Sequence, residues 1–151
     1  MYITLESDYA VRIVSELCTD GGRLDAGTIS ERCVVTLRFS LKILRKLVAA
    51  GIVTSYKGSH GGYQIAMDPE DINLRMVIEA IEGTYYFSRC LSDEHACNRG
   101  AEETCCFHKA FGEITDVIRR ELECRNFADL TQCVRKVREL EEKNGQAELQ
   151  A

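Results

Sequence analysis

Three observations in this 151-residue chain predict a mostly α-helical fold carrying one small β-hairpin. Apolar residues recur at helical spacing through most of the sequence, and there is a single proline to interrupt them. Strand-like residues concentrate in one short run, "IVTSYKGSHGGYQIA", arranged about a glycine-rich centre. The stretch "CLSDEHACNRGAEETCCFHKAF", residues 90–111, follows neither pattern and places four cysteines and two histidines in its first nineteen residues.

The elements follow in order. In "SDYAVRIVSELC", Ser7 is a candidate helix cap, and Ala10, Ile13, Val14 and Leu17 share one face until Gly21-Gly22 ends the helix. "DAGTISERCVV" reads as a short second helix with Ile29 and Cys33 inside. "TLRFSLKILRKLVAAG" is the clearest helix, closed by Gly51. At about 100° per residue, Leu37, Leu41, Leu44 and Val48 align, with Ile43 and Leu47 extending that apolar side. Arg38, Lys42, Arg45 and Lys46 then form a cationic stripe opposite.

Ile52, Val53, Tyr56, Tyr63 and Ile65 flank "KGSHGG" as the two arms of a hairpin. A phosphate-binding loop would need a helix directly after the glycines, and strand-like residues follow instead. "DPEDINLRMVIEAIEG" reads as a helix with Pro69 just before its start and Gly83 as its stop. After the cysteine-rich loop, "FHKAFGEITDVIRREL", about 107–122, returns to helical spacing. Its stripe of Phe111, Ile114, Val117, Ile118 and Leu122 suits a dimer seam or a core. "NFADLTQCVRKVRELEEKNGQ" is a last helix or charged tail. Helix, short helix, basic-faced helix and hairpin form the order of a winged helix-turn-helix, expected over residues 1–83. A ligand loop over 84–108, helices over 109–145 and a disordered tail over 146–151 complete the expected organisation.

Charge points the same way. The net charge is −5, yet residues 32–67 carry Arg32, Arg38, Lys42, Arg45, Lys46 and Lys57 with no acidic residue. An acidic chain with one concentrated basic segment implies a local anionic partner, and double-stranded DNA fits the element order. The expected contacts are Thr36, Arg38, Lys42, Arg45 and Lys46 on the third helix, with Lys57, Ser59 and His60 at the hairpin tip. A solvated cationic face is the plainer alternative. No nucleophile–base pair or cofactor loop suggests an enzyme.

No apolar run approaches the length of a membrane span. Glu6, Asp8 and Arg12 interrupt the opening residues, which do not read as a signal peptide. The expected compartment is the reducing cytoplasm, where eight cysteines favour metal or redox chemistry over disulfides. Cys90, Cys97, Cys105, Cys106, His95 and His108 are the candidate ligands, and Cys90, Cys97, Cys105 and His108 the most economical set. Cys105 and His108 lie three apart at the mouth of a helix, so they can converge on one centre. Wide first intervals suit an iron–sulfur cluster; structural zinc usually takes two short-spaced pairs; a thiol beside Arg89, Arg99 or Lys109 suits redox sensing. Spacing leaves all three open. A small electron-transfer protein would explain the loop but leave the basic stripe idle. Cys18 and Cys33 read as packed core thiols, and Cys124 and Cys133 as core or interface residues.

"SDYAVRIVSEL", "LRFSLKILRKLVAAGIVTSYKGSHGGYQIA", "VIEAIEG" and "CLSDEHAC…CCFHKAF" together resemble the Rrf2 family of winged-helix regulators, over roughly residues 1–130. That family includes IscR-type iron–sulfur regulators and NsrR-type nitric oxide sensors. The resemblance implies a homodimer joined through the long helix after the loop. It implies a cytoplasmic repressor or activator on a near-palindromic operator, sensing redox, iron–sulfur status or nitric oxide. It also implies a two-iron two-sulfur cluster on Cys90, Cys97, Cys105 and His108. Cys106 stands where many members have proline and is an alternate ligand. Leu41 and Lys42 replace an acidic residue and an amide of IscR, so its operator does not transfer.

Overall fold

A computed structural model describes residues 3–58, 61–92 and 97–148, with side chains placed through residue 137. The described chain contains α1 (Leu5–Asp20), α2 (Ala26–Cys33), α3 (Leu37–Ala49), β1 (Val53–Tyr56), β2 (Gly62–Ile65), α4 (Leu74–Glu82), a 3₁₀ turn (Arg89–Leu91), α5 (Cys106–Glu123) and α6 (Phe127–Glu148). It is the winged helix-turn-helix that the element order predicts. The tips of two expectations, Ser59 and His60 at the hairpin and His95 in the loop, lie outside the described residues. Helix α6 includes 146–148, which the sequence reading assigned to a tail; 149–151 lie outside the described residues.

The cap of α1 differs from expectation. Thr4, not Ser7, is the N-cap, and its hydroxyl accepts the Ser7 N–H at 3.2 Å. Ser7 is fully buried inside the helix because its hydroxyl donates to Glu82 Oε1 on α4. Glu82 also accepts the Thr4 hydroxyl at 2.9 Å, so the end of α4 fastens the start of α1. Helix α2 starts at Asp25, whose carboxylate accepts the N–H groups of Gly27 and Thr28. Helix α4 is shorter than expected. Asn73 caps it by accepting from Met76 N–H at 3.0 Å, while Pro69 sits four residues earlier in a separate turn.

β1 and β2 pair antiparallel, Val53 against Ile65 and Tyr56 against Gly62. Leu24 bonds to Tyr63 in both directions, at 3.0 and 2.7 Å, which seats the hairpin on the α1–α2 connection. Gly62 is required there: at φ +146° a Cβ would meet the Leu24 carbonyl oxygen at 2.5 Å.

One core holds these pieces. Ile13, Val14 and Leu17 of α1 meet Ile29, Ile43, Leu44, Leu47, Ile52, Val53, Ile72 and Val77, all essentially without solvent contact. Phe127, the first residue of α6, belongs to the same core. Backbone bonds lock it there, with Phe127 N–H donating to Ile72 O at 2.8 Å and Leu74 N–H to Arg125 O at 3.1 Å. Arg135 donates to the carbonyls of Cys18 and Thr19 at 3.0 and 3.1 Å, closing the end of α1. Cys18 and Cys33 are buried, as their apolar helix faces predict, and burial pushes the Cys18 thiol up to about 11. Cys124 and Cys133 are exposed in the single chain.

A candidate nucleic-acid interface and a cysteine-rich loop

Helix α3 follows α2 through a three-residue turn in which Val34 adopts φ +55° and is 81% exposed. Thr36 is the N-cap, but its side chain makes no capping bond, so its hydroxyl is exposed at the head of the helix. The buried face of α3 is Ser40, Ile43, Leu44 and Leu47. This corrects the expected face by about one-fifth of a turn. Val48 packs only partly on the core, Leu41 is half-buried, and Leu37 is 49% exposed. Ile43, Leu44 and Leu47 are buried as expected, while Leu37 and Leu41 lie outside the core.

Arg38, Lys42 and Arg45 are exposed on the opposite side, as their spacing predicts. With Thr36, Leu37 and Leu41 they line an open groove of about 740 Å³. The four cations are not equivalent. Among the described residues neither Arg38 nor Arg45 takes part in an ion pair. Lys42 lies 2.9 Å from Glu6 Oε2, and Lys46 lies 2.8 Å from Glu6 Oε1. Lys46 also donates to the Ile81 carbonyl at 2.9 Å, which turns it toward α4 and away from the groove. The bonds from Lys42 and then Lys46 hold the Glu6 carboxyl below its ordinary range.

Lys57 is exposed at the start of the hairpin turn. Sequence reasoning missed Arg23 beside it. The Arg23 guanidinium stacks 3.6 Å from the centroid of the Tyr56 ring, adding a cation to the flank of the hairpin. Its position next to Leu24, which bridges to β2, was not visible as a sequence pattern.

The cysteine-rich loop is fastened at both ends. Tyr85 N–H donates to Glu79 Oε1 of α4 at 3.1 Å, and Arg119 of α5 reaches the same oxygen at 3.2 Å. Phe87 N–H donates to Thr115 Oγ1 at 3.1 Å, and the Phe87 and Phe111 rings pack 5.5 Å apart. Cys90 lies in the 3₁₀ turn with its sulfur 3.3 Å from the Ser88 hydroxyl. The backbone N–H groups of Ala101 and Arg99, and more weakly Gly100, hold the Cys97 thiol below its usual range. Cys105 is the N-cap of α5, exposed Cys106 is its first residue, and His108 stands in its first turn.

His108 Nδ1 is buried, and no described residue offers it a hydrogen bond. A buried nitrogen that the protein leaves without a partner is open to a water or a bound group. Three thiols and an imidazole suit iron in donor type, and the backbone N–H groups shift Cys97 in the direction of the thiolate that ligation requires. Among the described residues, no three His, Cys, Asp or Glu side chains are close enough to hold one metal ion. The donors therefore fit in kind and share one segment, although they are not gathered.

The Rrf2 profile, described as an iron-dependent transcriptional regulator, matches residues 3–133. The chain belongs to the Rrf2 family. It is similar to protein rrf2 of Nitratidesulfovibrio vulgaris, 30% identical over 132 residues that cover 86% of this chain and 87% of that one. It is also similar to the regulator IscR of Aliivibrio salmonicida, 27% identical over 132 residues, 86% of this chain and 77% of the relative. Among solved structures, T. potens IscR superposes with a TM-score of 0.70 at 20% identity, covering 89% of this chain and 88% of that one. That likeness establishes the fold. Membership of Rrf2 makes this protein a DNA-binding transcriptional regulator, and the exposed side of α3 carries Arg38, Lys42 and Arg45. Among the described residues, no helix is long and apolar enough to cross a membrane.

Proposed function

We propose that this Rrf2 protein is a cytoplasmic homodimeric regulator whose affinity for a near-palindromic operator is set by an iron–sulfur cluster. Cys90, Cys97, Cys105 and His108 hold the cluster, of two-iron two-sulfur type, with Cys106 as the alternate ligand. The observation that carries the reading is the buried, unpartnered Nδ1 of His108, one helical turn from Cys105, in a family described as iron-dependent. Bound there, a cluster supplies a centre that oxidation, nitric oxide or iron loss can alter.

The rest depends on the chain's own residues. Arg38 and Arg45 meet phosphates and guanine edges, while Thr36 and Lys57 bond to the DNA backbone. Ser59, His60 and Lys42 complete the contact, with Lys42 exchanging Glu6 for DNA; Lys46 serves as an internal tether. The exposed apolar residues Phe107, Ile114 and Val117 of α5 form the seam between two copies. Two recognition helices then sit one DNA turn apart, roughly 34 Å.

Communication runs through α4. Its Glu79 holds the loop at Tyr85 and α5 at Arg119, while Ile81 O and Glu82 hold Lys46 of α3 and the cap of α1. A change in loop order thus reaches α3 through one short helix. Protein purified without oxygen should contain iron and acid-labile sulfide in matching amounts with a visible absorption band. Colourless protein, or protein containing zinc alone, would reject the cluster and leave the family's DNA-binding function standing.

A further inference from the structure

Two leucines at the head of α3 have no role in the core. Phe39 and Val48 of the same helix pack against the buried cluster, but Leu37 and Leu41 do not join it. They form one ridge with Arg45 at successive intervals of four, beside a second ridge of Arg38 and Lys42. Both leucines line the open groove, and Leu37 is 49% exposed in the first turn of the helix. A single exposed leucine needs no explanation. Exposed Leu37 and half-buried Leu41 on one ridge, flanked by arginines that form no ion pair among the described residues, make an apolar strip inside a cationic field.

The partner that matches both halves is duplex DNA. Phosphates and guanine acceptors answer the arginines, and the thymine C5-methyl is the apolar group the major groove displays. The N-terminal turns of a recognition helix are the part that reaches base edges. We propose that Leu37 and Leu41 read thymine methyl groups, so that each operator half-site carries a T·A pair facing the first turns of α3, next to the guanine met by Arg38. The inference rests on the assignment of α3 as the recognition helix. It makes these two leucines, rather than the cations alone, determinants of sequence choice.

The test starts from full-length, anaerobically purified protein and a random duplex pool, from which bound sequences are selected. Each thymine of the selected site is then replaced by deoxyuridine, which keeps every hydrogen bond and removes only the methyl group. Affinity should fall about fourfold at one or two positions per half-site, the worth of a buried methyl group, and stay constant elsewhere. Leu37→Ala with Leu41→Ala should still bind but no longer distinguish thymine from deoxyuridine there. Because the base substitution uses unaltered protein, the result does not depend on the variant folding. Selection of a site followed by equal affinity for every deoxyuridine duplex overturns the leucine assignment alone. Failure to enrich any duplex overturns the DNA-binding reading of α3 and the inference with it.

Discussion

Lys42 on α3 donates to Glu6 Oε2 at 2.9 Å, so an α1 carboxylate occupies a cation that lines the open groove on that helix. The same carboxylate lies 2.8 Å from Lys46, which points to α4 instead. One acidic residue therefore divides four neighbouring cations: Arg38 and Arg45 have no ion pair among the described residues, Lys42 is paired beside the groove, and Lys46 is paired and turned to α4.

That division predicts unequal effects on binding. Arg38→Ala should reduce the slope of log affinity against log salt by about one, with a similar loss for Arg45→Ala. Lys46→Ala should leave the slope unchanged and lower thermal stability instead. Glu6→Gln should tighten low-salt binding about two- to fivefold, because Lys42 no longer leaves an ion pair to meet a phosphate. Fluorescence anisotropy across a salt series reads all of these. An equal slope change for Arg38 and Lys46 would contradict the division.

The Glu6 carboxyl is depressed below its ordinary value of 4.5, first by Lys42 and then by Lys46. Its contribution to stability is therefore fully present above the unfolded value and lost as pH falls through the lower folded value. Denaturation midpoints of the native protein should fall on acidification from about pH 5 towards pH 3, and more steeply than those of Glu6→Gln. Parallel curves for the two proteins would show that the pair does not stabilise the fold.

Val34 places a β-branched side chain at φ +55° while leaving it 81% exposed. That conformation costs a non-glycine residue of order 1–3 kcal/mol, and almost no burial is lost by changing it. Val34→Asn should raise unfolding free energy by about 1 kcal/mol in a urea titration. A destabilised variant would mean that the valine side chain makes contacts worth more than the strain.

Much of the architecture was legible because its signals were local. The spacing of Ile13, Val14 and Leu17, the hairpin around the glycines and the Gly51 stop each depend on neighbours a few residues away. What escaped was set by distant partners. Ser7 lost its expected cap role to a bond with Glu82 across the fold, and the bonds of Lys46 to Ile81 O and Glu6 depend on elements distant in sequence. Leu37 and Leu41 of α3 also lie outside the core. In the loop, donor types were readable from the cysteines and histidines. The backbone N–H groups around Cys97 and the unpartnered Nδ1 of His108 appear only once the chain is folded.

The ligand set makes a separate prediction. Cys97→Ala should abolish retained iron, since it removes one of the proposed thiolate ligands. His108→Cys should keep the iron and slow its loss on mild acidification, because an anionic thiolate binds iron more strongly than a neutral imidazole and is displaced less readily. Stopped-flow absorbance after a pH jump reads the rate. Identical rates in the two proteins would remove His108 from the set and leave Cys106 as the fourth ligand.

If the loop at Cys90–His108 governs the DNA affinity of α3, loading and stripping iron changes that affinity, and a paired titration reads the change. Affinity for a selected operator duplex is measured by anaerobic anisotropy with the iron-loaded protein, then with the same preparation after iron is stripped. Coupling through α4 predicts a change of about tenfold or more, within the 5–150-fold range of ordinary allosteric linkage. Glu79→Ala, which removes the acceptor shared by Tyr85 N–H and Arg119, should shrink that ratio. Equal affinities for the loaded and stripped protein would contradict the coupling, leaving a DNA-binding regulator whose cysteine-rich loop serves some other end.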